Sequence, residues 1–303
     1  MKFGKLKTFW KLIKRSAVQF ATDNLFVQAA ALSYYTIFAL PPILLIILRT
    51  TSLVYQKEAI QSTLFGMISD IIGRDSSRQL SETIDTLGLF EDTWWATAVG
   101  IGGLFITSTT VFITIQNSLN RIFRVRAKPK STVLKLLRDR VLSFAFLLSM
   151  GFILLISLLI DSALTALGNY LSILIPGISI ILITAGSILL PLLIITFLFG
   201  SIFRFLPDAK LKWREVRMGA ILTTLLFSAG KYLISFYIGR SQTTNLYDAA
   251  GEVLIIMLWV FYAANIFLFG AVFTRQHAEH YGRGILPADY AVRIIQKEEE
   301  VED

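Results

Sequence analysis

The chain has 303 residues, 54% of them apolar and only 17% charged, with a formal net charge of +8. Its apolar residues run in stretches far too long for a soluble core, which excludes the globular class and places the chain among membrane proteins. It has no cysteine, so disulfides, thiolate zinc sites and cysteine nucleophiles are excluded too.

The N-terminal arm sets Phe3, Leu6, Trp10, Ile13, Ala17 and Phe20 at spacings of three and four, with lysines and Arg15 between them. That pattern predicts a basic amphipathic helix over residues 1–22, lying in the headgroup region with its lysines on anionic lipid. No apolar h-region followed by a small-residue cleavage site occurs in the first twenty residues, so the first span is expected to be its own insertion signal.

A bilayer-spanning helix needs about 20 mostly apolar residues. Six such stretches follow, at about 26–48, 94–115, 141–160, 178–200, 216–238 and 251–273. Lys and Arg decide the orientation: 23 of the 29 fall in residues 1–25, 116–140, 201–217 and 274–303, and only five in 49–93, 161–177 and 239–250. The positive-inside rule then makes both termini cytoplasmic. The expected fold is an all-α, polytopic membrane protein: a six-helix domain over 23–280, an extracytoplasmic insertion at 49–93, and a cytoplasmic charged tail over 281–303.

The insertion is acidic and carries two helical stripes, Ile60 to Ile72 and Leu80 to Leu87, read as two short amphipathic helices on the outer face. The segment 161–177 is apolar and ends in Pro176-Gly177, which places it at the interface or dipping into the protein. Residues 297–303 are a solvated charge run. Gly100-Ile-Gly-Gly103 permits a homo-oligomer and requires none.

Several features bear on function. The first span holds Ser33-Tyr34-Tyr35-Thr36 and then Pro41-Pro42, whose missing amides free carbonyls around Ile37 and Phe38, so a broken helix is expected. Such a break either lines a substrate path or is a kink satisfied by neighbouring helices. Span two has a polar stripe of Thr107, Thr110, Thr114 and Asn117, with Gln116 and Asn120 near its inner end, and span five has Thr224, Ser228, Lys231 and Ser235. Each stripe faces a polar cavity or serves as interhelical hydrogen-bond glue.

Lys231 is the sharpest signal. An unpaired ammonium near the bilayer centre costs at least ~2.5 kcal/mol, so it should find an anion. Glu252, Asp248 and Asp161 are the candidates; the alternative is snorkelling toward the outer interface.

Enzyme chemistry finds little support. His277 and His280 flank Glu279 but match no standard zinc spacing. No P-loop, dinucleotide turn or serine elbow appears, so no cofactor, metal or ATPase activity is expected. The basic run from Arg121 to Lys130 is explained by topology without a nucleic-acid partner.

Four segments carry a resemblance: Ala29-Ala-Ala-Leu-Ser-Tyr-Tyr-Thr-Ile-Phe-Ala-Leu-Pro-Pro42; Phe205-Leu-Pro-Asp-Ala-Lys-Leu-Lys-Trp-Arg214 leading to Gly219-Ala220; Lys231; and Leu258-Trp-Val-Phe-Tyr262 through Gly270-Ala-Val-Phe-Thr-Arg275. From about residue 15 to 280 the chain resembles the BrkB/YihY family of bacterial inner-membrane proteins, with Pro207, Asp208, Trp213, Arg214 and Gly219 as motif positions. The resemblance implies six spans and a bacterial plasma membrane. Family members have been linked to serum resistance, suspected of transport or lipid export, and historically labelled ribonuclease BN. The nuclease label does not suit these residues, which offer no inner-side cluster of His, Asp and Glu to hold catalytic metals. The sequence departs from the family at Tyr247-Asp-Ala-Ala-Gly-Glu252: the family pattern has small residues at the positions that Asp248 and Glu252 hold here. A site using those acids would be particular to a subgroup.

The expected activity is a transporter or lipid translocator without ATPase chemistry, with Lys231 and Glu252 or Asp248 holding an anionic headgroup or coupling a proton. Tyr34, Tyr35, Pro41 and Pro42 would shape the path. A non-transporting scaffold that binds lipid or partner proteins is the alternative, and a membrane-associated nuclease the third.

Overall fold

The computed structural model describes residues 2–52, 94–128, 178–240, 244–282 and 284–295. Its helices are α1 (Lys2–Thr22), α2 (Leu25–Ser52), α3 (Trp94–Ile122), α4 (Ile178–Phe205), α5 (Trp213–Arg240) and α6 (Thr244–Tyr281). Helices α2 to α6 overlap five of the six expected spans. The remaining span at 141–160, the outer insertion 53–93 with its two expected helices, the segment 161–177 and the charge run 297–303 lie outside the described residues. Among the described residues, Met257–Tyr281 is long and apolar enough by itself to cross a membrane, and Leu25–Phe38 and Leu189–Phe205 are shorter apolar stretches.

Two compact units divide the chain. One comprises 1–23, 116–228 and 266–303; the other comprises 24–115 and 229–265.

In the first unit, α1 packs on the end of α6. Phe9 meets Phe273 edge-on at 5.5 Å and Phe20 meets Phe269 at 6.0 Å, while Gln276 donates to Gln19 Oε1 at 2.8 Å. The buried stripe is therefore Leu12, Ser16 and Phe20. This corrects the expected face: Trp10 is 69% exposed and Ala17 is exposed, because the partner helix offers its phenylalanines to the adjacent stripe. The outward face of α1 mixes Trp10 and Val18 with Lys11, Lys14 and Arg15.

The start of α5 crosses the end of α6 at two glycines. A Cβ on Gly219 would stand 1.8 Å from Thr274 Oγ1 and 3.0 Å from the Gly270 carbonyl oxygen, and one on Gly270 would stand 1.7 Å from Thr223 Oγ1. No side chain fits at either position, and the two backbones approach as small-residue helix pairs do in membranes. A phenylalanine cluster of Phe199, Phe203, Phe227 and Phe267 fills the space beside this crossing. Helix α5 begins with half of a capping box: the Lys212 amide donates to Glu215 Oε2 at 2.8 Å.

Strands were not expected, yet four short ones occur among the described residues. β1 (Val125–Ala127) pairs antiparallel with β4 (Ala291–Arg293), and β2 (Ala209–Lys210) with β3 (Leu286–Pro287). Residues 285–295, read from composition as part of a charged tail, are thus hydrogen-bonded to the loops after α3 and after α4. Arg124, with φ +56°, ends α3 in the left-handed region, where it donates to Asp23 Oδ1 at 3.0 Å. That ion pair helps hold a conformation that costs a side chain about 1–2 kcal/mol.

In the second unit, Leu25, Ala29, Leu32, Phe112 and Ala264 are buried, and Ser33 Oγ donates to the Met257 carbonyl at 2.8 Å. Helix α2 continues through Pro41-Pro42 to Ser52. The expected break is absent, since each proline removes one amide donor while its fixed φ still suits the helical path.

Candidate functional site

Two features stand out in the first unit: a buried acid and an open cationic cleft. The acid is Asp208, 1% exposed. Asn120 Nδ2 donates to its Oδ2 at 2.8 Å, Tyr290 Oη donates to its Oδ1 at 3.0 Å, and Gln116 Nε2 stands 3.5 Å from the same oxygen. The exchange is reciprocal, because the Asp208 amide donates to Asn120 Oδ1 at 2.7 Å. The Ala288 amide caps the Asp208 carbonyl at 3.0 Å. One residue thereby ties α3, the loop after α4 and the C-terminal strands together. Beside it Lys210 pairs with Asp289, and Arg275 reaches the Ile122 carbonyl at 3.1 Å.

The cleft has a volume of about 760 Å³ and is formed by α1, the first two turns of α5 and the end of α6. Phe9, Leu12 and Met218 give it apolar walls; Lys212, Arg214 and Arg217 give it a cationic side, with Glu215 and His277 also in the lining. Burial, with Arg217 and His280 nearby, holds the His277 imidazole below its usual range, so it adds no charge near neutral pH. Lys212, Arg214 and Arg217 are exposed, and none forms an ion pair among the described residues. His277 stacks on Phe273 at 6.2 Å and tilts against Tyr281 at 5.1 Å, and its Nδ1 is buried without a hydrogen-bond partner. A second, smaller pocket of about 320 Å³ is lined by Asp23, Asn117, Asn120 and the arginines 121, 124 and 126.

The structure brings together some of the residues singled out in the sequence and leaves others apart. Arg214 lies in the cleft and Asn117 in the second pocket. Trp213 stacks on Phe197 at 5.4 Å, with the Arg204 guanidinium 5.0 Å above its ring, and Pro207 is buried beside Asp208. Thr224 Oγ1 accepts from Thr196 Oγ1 at 3.0 Å and donates to the Ala220 carbonyl, so this member of the span-five stripe is interhelical glue. Thr114 Oγ1 returns to the Thr110 carbonyl of its own helix at 2.8 Å. Tyr34 and Tyr35 are exposed, with Tyr34 tilted against Phe38 at 4.7 Å between ring centroids. Ser228 is half-buried. The side chains of Lys231, Asp248, Glu252, Pro41 and Pro42, and the whole of Asp161, lie outside what the structure describes.

Sequence reasoning missed Tyr290 and the cleft. His277 had been weighed only as a metal ligand, and among the described residues no group of three or more His, Asp and Glu side chains could hold a metal.

The profile of the virulence factor BrkB family matches residues 16–291. The chain belongs to that family. Among similar proteins, a UPF0761 membrane protein of Pseudomonas aeruginosa is 32% identical over 267 residues, covering 84% of this chain and 60% of the relative. One of Ralstonia nicotianae is 28% identical, covering 86% and 57%, and one of Alcanivorax borkumensis is 26% identical, covering 90% and 61%. The chain spans about three fifths of the length of these relatives. No solved structure is significantly similar. Family membership makes the chain an integral membrane protein; the Asp208 node and the α5 and α6 sides of the cleft lie within the matched segment, whereas Phe9 and Leu12 of α1 precede it.

Proposed function

We propose that this BrkB family member crosses the bacterial inner membrane six times with both termini cytoplasmic, and acts as a transporter or translocator of lipids or other amphiphiles without an ATPase of its own. The observation that carries this reading is the open cleft at the start of α5. Apolar and cationic side chains lining one cavity suit a molecule that is itself half apolar and half charged. Positive-inside topology sets that end of α5 on the cytoplasmic side, and the α1 face of Trp10, Val18, Lys11 and Lys14 suits anionic lipid at the same surface.

A non-transporting scaffold is the second reading, favoured by the sealed Gly219–Gly270 crossing and the Thr196–Thr224 bond, which use polar and small residues for packing. Reconstitution of the full chain in vesicles with a headgroup-labelled lipid, followed by quenching from outside, separates the two. A translocator raises the rate at which label becomes accessible above that of empty vesicles, and Lys231→Met abolishes the gain while the protein still elutes as a folded species. No protein-dependent exchange across lipid classes would establish the scaffold instead.

A further inference from the structure

We propose that the cleft between α1, α5 and α6 binds the phosphate headgroup of an anionic phospholipid, an assignment that names the substrate class of the translocator reading and rests on it. Charge is the first argument. Lys212, Arg214 and Arg217 line the cleft without ion-pair partners among the described residues, against one lining acid, Glu215, whose Oε2 accepts from the Lys212 amide. The first turn of α5 adds the positive end of its dipole, where phosphates bind readily. His277 stands in the same wall, its ring packed on Phe273 and Tyr281 and its Nδ1 buried.

The apolar side distinguishes a lipid from a free anion. Phe9, Leu12 and Met218 line the same cleft as the cations; inorganic phosphate has no use for them, whereas the glycerol and upper acyl carbons of a phospholipid would bury them. The volume, about 760 Å³, lies within the range of small-molecule sites, roughly 300–1,000 Å³. Trp10, 69% exposed on the outer face of α1, is the interfacial side chain expected where such a site borders the bilayer.

The test uses the purified full chain in neutral detergent, titrated with a fluorescent phosphatidylglycerol and then challenged with competitors. Unlabelled phosphatidylglycerol should displace the probe, while diacylglycerol and millimolar inorganic phosphate should not. Arg214→Gln with Arg217→Gln should weaken binding about thirtyfold, following the usual contribution of two basic side chains facing anionic lipid. Arg121→Gln with Arg126→Gln removes the same charge from the second pocket and should change affinity by less than about threefold. Equal weakening by both pairs would reduce the site to general surface charge, displacement by diacylglycerol would reduce it to its apolar walls, and displacement by inorganic phosphate would make it a free-anion site. Each result overturns the proposal. The competition series on the unmodified chain decides the matter even where the double variant fails to fold. Binding is read without vesicles, so binding without exchange refutes the translocator alone, and exchange without binding refutes this site alone.

Discussion

Replacing Tyr290 by Phe should loosen the C-terminal strands without unfolding the chain. Tyr290 Oη donates to Asp208 Oδ1 at 3.0 Å, and a hydrogen bond to a charged group contributes about 1.5–3 kcal/mol. Other ties include two ladders of three and two residue pairs, the Lys128 amide on the Tyr290 carbonyl, the Ile294 amide on the Arg124 carbonyl and the Ala288 amide on the Asp208 carbonyl, and the exposed Lys210–Asp289 pair, which adds little; Tyr290→Phe keeps all of these. Loss of the hydroxyl should therefore raise the population of the opened segment about ten- to hundredfold. Brief trypsin treatment in detergent, with the peptide released beyond Arg293 followed by mass spectrometry, reads that population while opening and closing remain fast. Tyr290→Phe should be cut faster by this factor with the thermal midpoint of the helical domain nearly unchanged. Cleavage at the rate of the unmodified chain would show that the Asp208 node does not hold the segment.

Further outcomes follow from the same geometry. Gly219→Ala pushes a methyl against Thr274 and the Gly270 carbonyl, so it should destabilise by about 1–3 kcal/mol, measured as loss of folded protein on size exclusion; adding Thr274→Ala should recover part of it. Trp213→Ala forfeits the Phe197 stack and the Arg204 contact and should cost about 1–2.5 kcal/mol in thermal or denaturant unfolding, with Trp213→Phe costing clearly less. Thr196→Val with Thr224→Val removes both partners of one bond, so stability should fall by less than about 1 kcal/mol. Lipid exchange should be untouched by that pair, and its loss in a folded variant would put these hydroxyls on the substrate path.

Much of the helix content was legible because a membrane span leaves a coarse signal, twenty apolar residues bounded by charge. Helix ends were less legible, for a physical reason. The span expected at 251–273 sits inside a helix running from Thr244 to Tyr281, since hydropathy measures apolar length whereas the hydrogen-bond ladder continues into polar sequence. The N-terminal arm shows a different failure. Two adjacent stripes of α1 are both amphipathic enough to be the inner face, and only the phenylalanines at 269 and 273, some 250 residues away, decide between them.

The same distance problem governs the site. Asp208 stood out within a sequence motif, but its role depends on Asn120, 88 positions earlier, and Tyr290, 82 later, and no local pattern links three such residues. Arg214, a position of the same motif, and Arg217 gave no hint of a cleft, because arginines at the inner end of a span are what topology alone demands. Their further meaning arises from what faces them: an apolar wall from α1 and a histidine from α6 turn topogenic charge into one side of a cleft. A headgroup site of this kind needs no residue type that a plain membrane anchor lacks. It is distinguished by where the charges converge, and the comparison of Arg214 and Arg217 with Arg121 and Arg126 isolates that variable while holding the charge removed constant.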